Sequence, residues 1–248
     1  MENYLISVAG TAGIYLACLI PLFALAFLTS PKPARLTPLF LFAVFLTLDI
    51  GLIFLFKVIT VIPGWGGWNW QGKLLELSWP LLLLAFVPGF TASATGLSFK
   101  TIQGSWRVMT IVCVLYAIVN TPLQLLLGAH FSLHVKLPEF LYEATMPGLG
   151  EEFVYRGVLL ALLNELFGRP WKLLGARFGW GLVITSVMFG LLHGLDIHGF
   201  SVHHIYWVEM IFAFVMGVVL AWLRERTGSV WPGVAFHNLA NVMNILFV

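Results

Sequence analysis

The sequence predicts an all-α protein: a polytopic transmembrane helical bundle of about eight spans. Three observations predict it. The 248-residue chain is 60% hydrophobic and 10% charged, where a soluble domain carries about 25% charged residues. Its mean hydropathy is +0.94. Apolar stretches near 20 residues, the length that crosses a hydrocarbon core, recur at roughly 4–29, 38–62, 75–95, 106–127, 138–166, 179–196, 205–223 and 230–247. The net charge of +2 is too small to point to nucleic acid. The expected surroundings are a lipid bilayer.

The first stretch has no basic segment ahead of its long apolar run "MENYLISVAG", so it reads as a retained span and not a cleaved signal peptide. The second carries Asp49 and Lys57 eight residues apart; on a helix they share a face and can pair. The connection "GWGGWNWQGK" at 64–73 packs three tryptophans together. This suits the headgroup zone, with an aromatic ligand patch as the alternative. Asn120, Thr121 and Pro122 in the fourth stretch read as a kink whose freed backbone groups need local partners. The fifth is interrupted at Pro147 and Gly148, which predicts a short helix followed by a membrane helix from near Gly148. The sixth carries Ser186, Gly190 and Gly194 at small-xxx-small spacing, which admits a close helix neighbour. His198, His203 and His204 follow in the next connection and read as solvated loop histidines. Cys18 and Cys113 both fall in apolar runs and read as packing residues, with neither a disulfide nor a metal site implied.

Orientation follows from Lys and Arg in the loops. Lys32, Arg35, Lys100, Arg107, Arg169, Lys172, Arg177, Arg224 and Arg226 fall in one alternate set of connections, and only Lys73 and Lys136 in the other. This predicts an integral protein of a bacterial or archaeal plasma membrane with both termini outside the cytoplasm. The whole chain, 1–248, reads as one membrane domain, with four motif-free spans in 1–137 and a core in 138–248 that holds the polar motifs.

Ionisable groups at membrane depth cost a few kcal/mol each, so they need a partner or a wet cavity. In "GLGEEFVYRG", Glu152 and Arg156 are four apart, acid N-terminal to base, the better order for a helical ion pair. Glu151 points about 100° away and has no local counter-charge. Phe189 and His193 sit four apart on the sixth stretch. His237 and Asn241 do so on the last, with Asn238 and Asn244 beside them. One spare carboxylate, two imidazoles and an amide on three spans make a set that can polarise water and bind an oxyanion.

With "EEFVYR" as E-E-x-x-x-R, Phe189 to His193 as F-x-x-x-H, and His237 to Asn241 as H-x-x-x-N, the chain resembles the CPBP (CAAX protease and bacteriocin-processing) family. That family includes the type II CAAX prenyl endopeptidases. The resemblance covers about 147–245 and implies an intramembrane glutamic endopeptidase acting on a membrane-associated protein or peptide. It implies Glu151 as general base, with His193 holding the attacking water. His237 and Asn241 would stabilise the oxyanion, and Glu152, Arg156 and Phe189 would support the site. It implies no cofactor. Zinc is the alternative, because two His and a Glu are a zinc-like set, but no H-E-x-x-H motif accompanies them. Two other readings stand beside this one: a non-catalytic binding or immunity protein on the same scaffold, and a small-solute transporter.

Overall fold

The computed structural model describes residues 2–30, 35–58, 67–87 and 89–247. Among these residues, eleven α-helices, a π-helical segment and two small hairpins follow in order. They are α1 (Glu2–Thr29), α2 (Leu36–Val58), α3 (Trp70–Phe86), α4 (Ala92–Thr95), α5 (Ser105–Leu126), α6 (Leu137–Glu143), α7 (Met146–Glu151), the π-helical segment (Glu152–Leu159), α8 (Leu160–Phe167), β1 (Trp171–Leu173), β2 (Ala176–Phe178), α9 (Trp180–Gly194), β3 (Leu195–His198), β4 (Ser201–Ile205), α10 (Trp207–Thr227) and α11 (Trp231–Ile245). The result is a helical membrane bundle.

Among the described residues, four helices are long and apolar enough to cross a membrane: 4–29, 36–55, 105–126 and 207–227. The other expected spans correspond to α3, the α7–α8 run, α9 and α11, which are shorter or interrupted. At about 1.5 Å per residue, the 15-residue α9 and α11 are each roughly 22 Å long, short of a core about 30 Å thick. Helices α1 and α2 pack on α8 and α9 through buried Leu19, Phe42, Leu46, Leu163, Phe167 and Met188, with edge-on rings at Phe23–Phe42 and Phe27–Phe167. Helix α5 instead exposes Ile111, Leu115, Ile118 and Val119, as a lipid-facing helix does.

Between helices in lipid, close van der Waals approach replaces the hydrophobic drive. The small-residue face on α9 serves this, and its partner is α10. A Cβ on Gly190 or Gly194 would run into Met210 and Phe214, and one on Gly217 of α10 would press on Ser186.

Several sequence expectations change. Helix α3 begins at Trp70, five residues ahead of the expected 75, because Asn69 caps it by accepting a hydrogen bond from Gly72 N. Lys73 is therefore a helix residue and not a loop charge. The fifth stretch is three pieces: α6, the break at Ala144–Thr145, and one continuous run of α7, π segment and α8. Leu160 N closes the π segment on Tyr155 O, so its spacing is five residues and not the four assumed for an α-helix. Asp49 is bonded by Trp79 Nε1 at 3.1 Å and Tyr155 Oη at 3.0 Å; the Lys57 side chain lies outside the described residues. Of the three tryptophans in 64–73, Trp65 also lies outside them, while Trp68 stacks on Tyr142 and Trp70 meets it edge-on. Asn120 finds its partner on α11, donating to Asn244 Oδ1 at 3.0 Å. The loop histidines belong to the exposed β3–β4 hairpin. Cys18 and Cys113 are free thiols.

Among the described residues, the flanks of the first basic connection and the other three meet at one end of the bundle. Ser30 Oγ donates to Phe167 O, and Ile102 N to Thr227 O. A Cβ on Gly175 in the β1–β2 turn would strike Arg226. The β3–β4 turn packs elsewhere, with Gly199 O against Gly10 of α1.

Candidate active site

Glycine opens the way for the acidic helix. Gly148 presses on α11 so closely that a Cβ would overlap Asn238. Asn238 uses this proximity: its Oδ1 accepts from Gly148 N at 2.8 Å and its Nδ2 donates to Thr145 O at 3.2 Å. It thus binds one of the orphan N–H groups of the first turn of α7 and ties α7 to α11. Gly150 presses on α3 in the same way, against the Glu76 carboxylate and the Lys73 stem. The two glycines seat the start of α7 between two neighbours.

The carboxylates that follow are held differently. Glu152 and Arg156 are fully buried, with Nη1 3.5 Å from Oε1. The Arg156 guanidinium also lies 4.3 Å from the centroid of Phe189, a cation–π contact that strengthens when desolvated. Glu152 Oε1 is 3.0 Å from His237 Nδ1. An ionised carboxylate only accepts, so Nδ1 carries the proton, and Nε2 is left toward Glu151, 3.9 Å from its Oε2. Glu152 therefore serves two partners, Arg156 and His237.

Glu151 is not the unpaired acid that helix geometry implied. Lys73 Nζ donates to its Oε1 at 2.6 Å. Its Oε2 is buried with no protein hydrogen-bond partner. Lys73 also contacts Glu76 Oε2 at 2.7 Å, and Glu76 is fully buried. Sequence reasoning missed both residues, since Lys73 stood outside the expected third span and Glu76 carried no motif. The available signal was an acid three residues after a lysine near the start of an apolar run.

His193 stands in the last turn of α9. Its Nδ1 donates to Phe189 O at 2.8 Å, which leaves Nε2 as a free acceptor. Its ring packs 4.4 Å from that of Phe189, which also meets His237 edge-on at 6.0 Å. Phe189 thus walls both imidazoles and the guanidinium. Glu151, His193, Lys73 and Glu76 line one cavity of about 230 Å³, with Tyr15 and Tyr155 among its walls. A second cavity of about 490 Å³ shares Thr11, Tyr15, Phe54 and Leu192 with it and reaches Asp196 and His198 on the β3 strand.

Asn241 lies one turn beyond His237 on α11. Its Nδ2 donates to Glu143 Oε2 at 2.9 Å, one of the two N–H groups the amide offers. It is not among the residues lining the cavity of Glu151 and His193. Among the described residues, no group of three or more His, Cys, Asp and Glu is placed to hold a metal ion.

The fold and these groups define a class first: a helical membrane bundle in which an acid, Glu151, and an imidazole, His193, line one cavity from separate helices, with a second imidazole, His237, 3.9 Å from the acid. The family follows from the comparison with known proteins. Residues 132–243, a little under half of the chain, match the family model described as "Type II CAAX prenyl endopeptidase Rce1-like", which supports a CPBP/CAAX protease family assignment for this part of the chain. That stretch holds α6 through most of α11, the elements carrying Glu151, Glu152, Arg156, His193, His237 and Asn241. Lys73 and Glu76 lie outside it. No curated protein and no solved structure matches the chain.

Proposed function

We propose that the protein is an intramembrane endopeptidase that hydrolyses a peptide bond of a membrane-associated protein with water activated by Glu151. The observation that carries this is that Glu151 and His193 line one cavity from separate helices, with His237 Nε2 3.9 Å from Glu151 Oε2. Glu151 Oε2, which has no protein partner, takes a proton from the water as it attacks the scissile carbonyl, and later returns it to the leaving amine. His193, with Nε2 free, holds the water. His237 and Asn241 stabilise the tetrahedral oxyanion. Asn241 has a second N–H for this. His237, held by Glu152 through Nδ1, donates at Nε2 with a second proton taken from solvent, which it keeps through the cycle. Glu152 and Arg156 fix the helix, and Phe189 fixes the rings.

The family description supports an endopeptidase; the division of roles is our own reading. The two cavities share lining residues on α1, α2 and α9, which supports entry of a peptide from the β3–β4 side. No metal is needed in this scheme. The test uses purified protein in liposomes and a panel of peptides, prenylated and non-prenylated at a C-terminal CAAX-type cysteine, with products read by mass spectrometry. The expected result is cleavage of at least one peptide by the native protein and none by Glu151→Gln. Equal cleavage by the two proteins would remove Glu151 from the chemistry, and binding without cleavage would favour the non-catalytic scaffold.

A further inference from the structure

We infer that Lys73, on α3 and outside the segment that matches the protease family, is a positioning residue that aims the Glu151 carboxylate at the reacting water. This rests on the function proposed above and extends it to a helix with no family motif.

A carboxylate has two equivalent oxygens, and a base on a rotatable side chain can present either. Here Lys73 Nζ takes Oε1 at 2.6 Å, while Oε2, free of any protein hydrogen bond, lies 3.9 Å from His237 Nε2. One oxygen is thereby held and the other is left for chemistry. Among the described residues, Lys73 is the only lysine or arginine within 4 Å of Glu151. Its ammonium is itself fixed by Glu76, three residues on along α3, at 2.7 Å. Glu76 in turn lies where a Cβ on Gly150 would have to go. The chain Glu76–Lys73–Glu151 is therefore a latch between α3 and α7, and it closes only because residue 150 has no side chain.

Helix physics gives no reason of its own for a lysine at this place. Lys73 is in the first turn of α3, just after its Asn69 cap. A cation there opposes the helix dipole, which favours acids at the N-terminus and bases at the C-terminus. It is also largely buried, its side chain 13% exposed, which carries a desolvation cost for the ammonium. The acids Glu76 and Glu151 account for its position; both line the cavity with it, and Glu151 is the one whose other oxygen lies toward His237.

The test compares Lys73→Met, which keeps the length of the stem, with Lys73→Ala, whose lost side chain enlarges the cavity that Lys73 already lines. Hydrolysis of the cleaved peptide is followed in liposomes, and folded protein by thermal unfolding in detergent. The expected result for Lys73→Met is a fall in kcat on the order of 100-fold, the scale for losing one preorganised electrostatic contact, with KM unchanged. Lys73→Ala should regain part of its kcat when ethylammonium is added and none with ethanol, and Lys73→Arg should stay partly active. Native kcat in Lys73→Met overturns the inference. So does a loss in Lys73→Ala that ethylammonium does not restore, or a failure of both variants to fold, since the role would then be structural. Glu151→Gln, run alongside, separates the two levels. If it is inactive while Lys73→Met is fully active, only the role of Lys73 falls; if it is active, the proposed function falls with it.

Discussion

Glu151 and Glu152 are adjacent in the chain and have opposite circumstances, which single substitutions should reveal. Glu151→Gln keeps the shape and removes proton acceptance, so hydrolysis should fall by at least about 100-fold with a smaller loss of folded protein than Glu152→Gln, because Lys73 keeps Glu76 as a partner. Glu152→Gln weakens the hold on Arg156 and His237 together. Breaking a buried pair this way costs about 3–5 kcal/mol, so its thermal unfolding in detergent should shift clearly downward. A stable Glu152→Gln beside an unstable Glu151→Gln would reverse the two roles. Metal dependence is also settled at this scale. Activity should survive exhaustive chelation, and a loss restored by stoichiometric zinc would make His193 and His237 ligands. The Glu152–Arg156 contact was legible because an acid and a base at i, i+4 in an apolar run neutralise each other on one helix face. The partner of Glu151 was not, because Lys73 is 78 residues away in sequence and a loop lysine and a first-turn lysine look alike in sequence until the helix start is fixed.

Helices α7 and α11 carry the site together, and their relation is set by small and amide residues. Asn238 ties Thr145 and Gly148 to the last helix. Asn238→Ala should cost about 1 kcal/mol, as for loss of a helix cap, and should lower kcat by more than this loss of stability implies, because α7 carries Glu151. Gly148→Ala forces a Cβ into Asn238 and should be worse on both counts. Unfolding curves and rates measured on the same preparations check this, and native activity in Gly148→Ala would contradict it. The helical membrane class and the order of apolar stretches could be read from hydropathy, although among the described residues only four helices have membrane-crossing length; Pro147 signalled a break, which falls at Ala144–Thr145. The π segment could not, because the residues 152–159 have no feature that separates an i, i+5 from an i, i+4 pattern. Such widened turns are frequent at functional sites, and this one runs from Glu152 through Arg156. The glycines were legible as a helix start, but their work is close approach, which only the neighbouring helices reveal.

The whole molecule has a basic end and an end poor in basic residues. The connections holding Arg35, Lys100, Lys172, Arg177 and Arg226 gather at the first. Glu151, in the first turns of α7, and His193, in the last turn of α9, lie toward the second. We propose from the charge rule that the basic end is cytoplasmic, which would open the site outward, toward an exported or membrane-anchored substrate. Ser229 is fully buried and donates to Ser98 O, which makes it a poor reporter of sidedness; Lys172 on β1 is exposed. In a background without Cys18 and Cys113, an impermeant thiol reagent on intact cells should label a cysteine at Ser201 and spare one at Lys172. The opposite pattern would turn the site toward the cytosol. The short α11 places His237 about 9 Å from its start at 1.5 Å per residue, and this short final helix, beside the α6–α7 break, lets His237 reach Glu151. The claim that these groups activate water is tested most directly by hydrolysis in H₂¹⁸O with the native protein and Glu151→Gln side by side. The expected result is one ¹⁸O in the new C-terminal carboxylate of the native product and no product from the variant. Product from Glu151→Gln at the native rate would contradict the account.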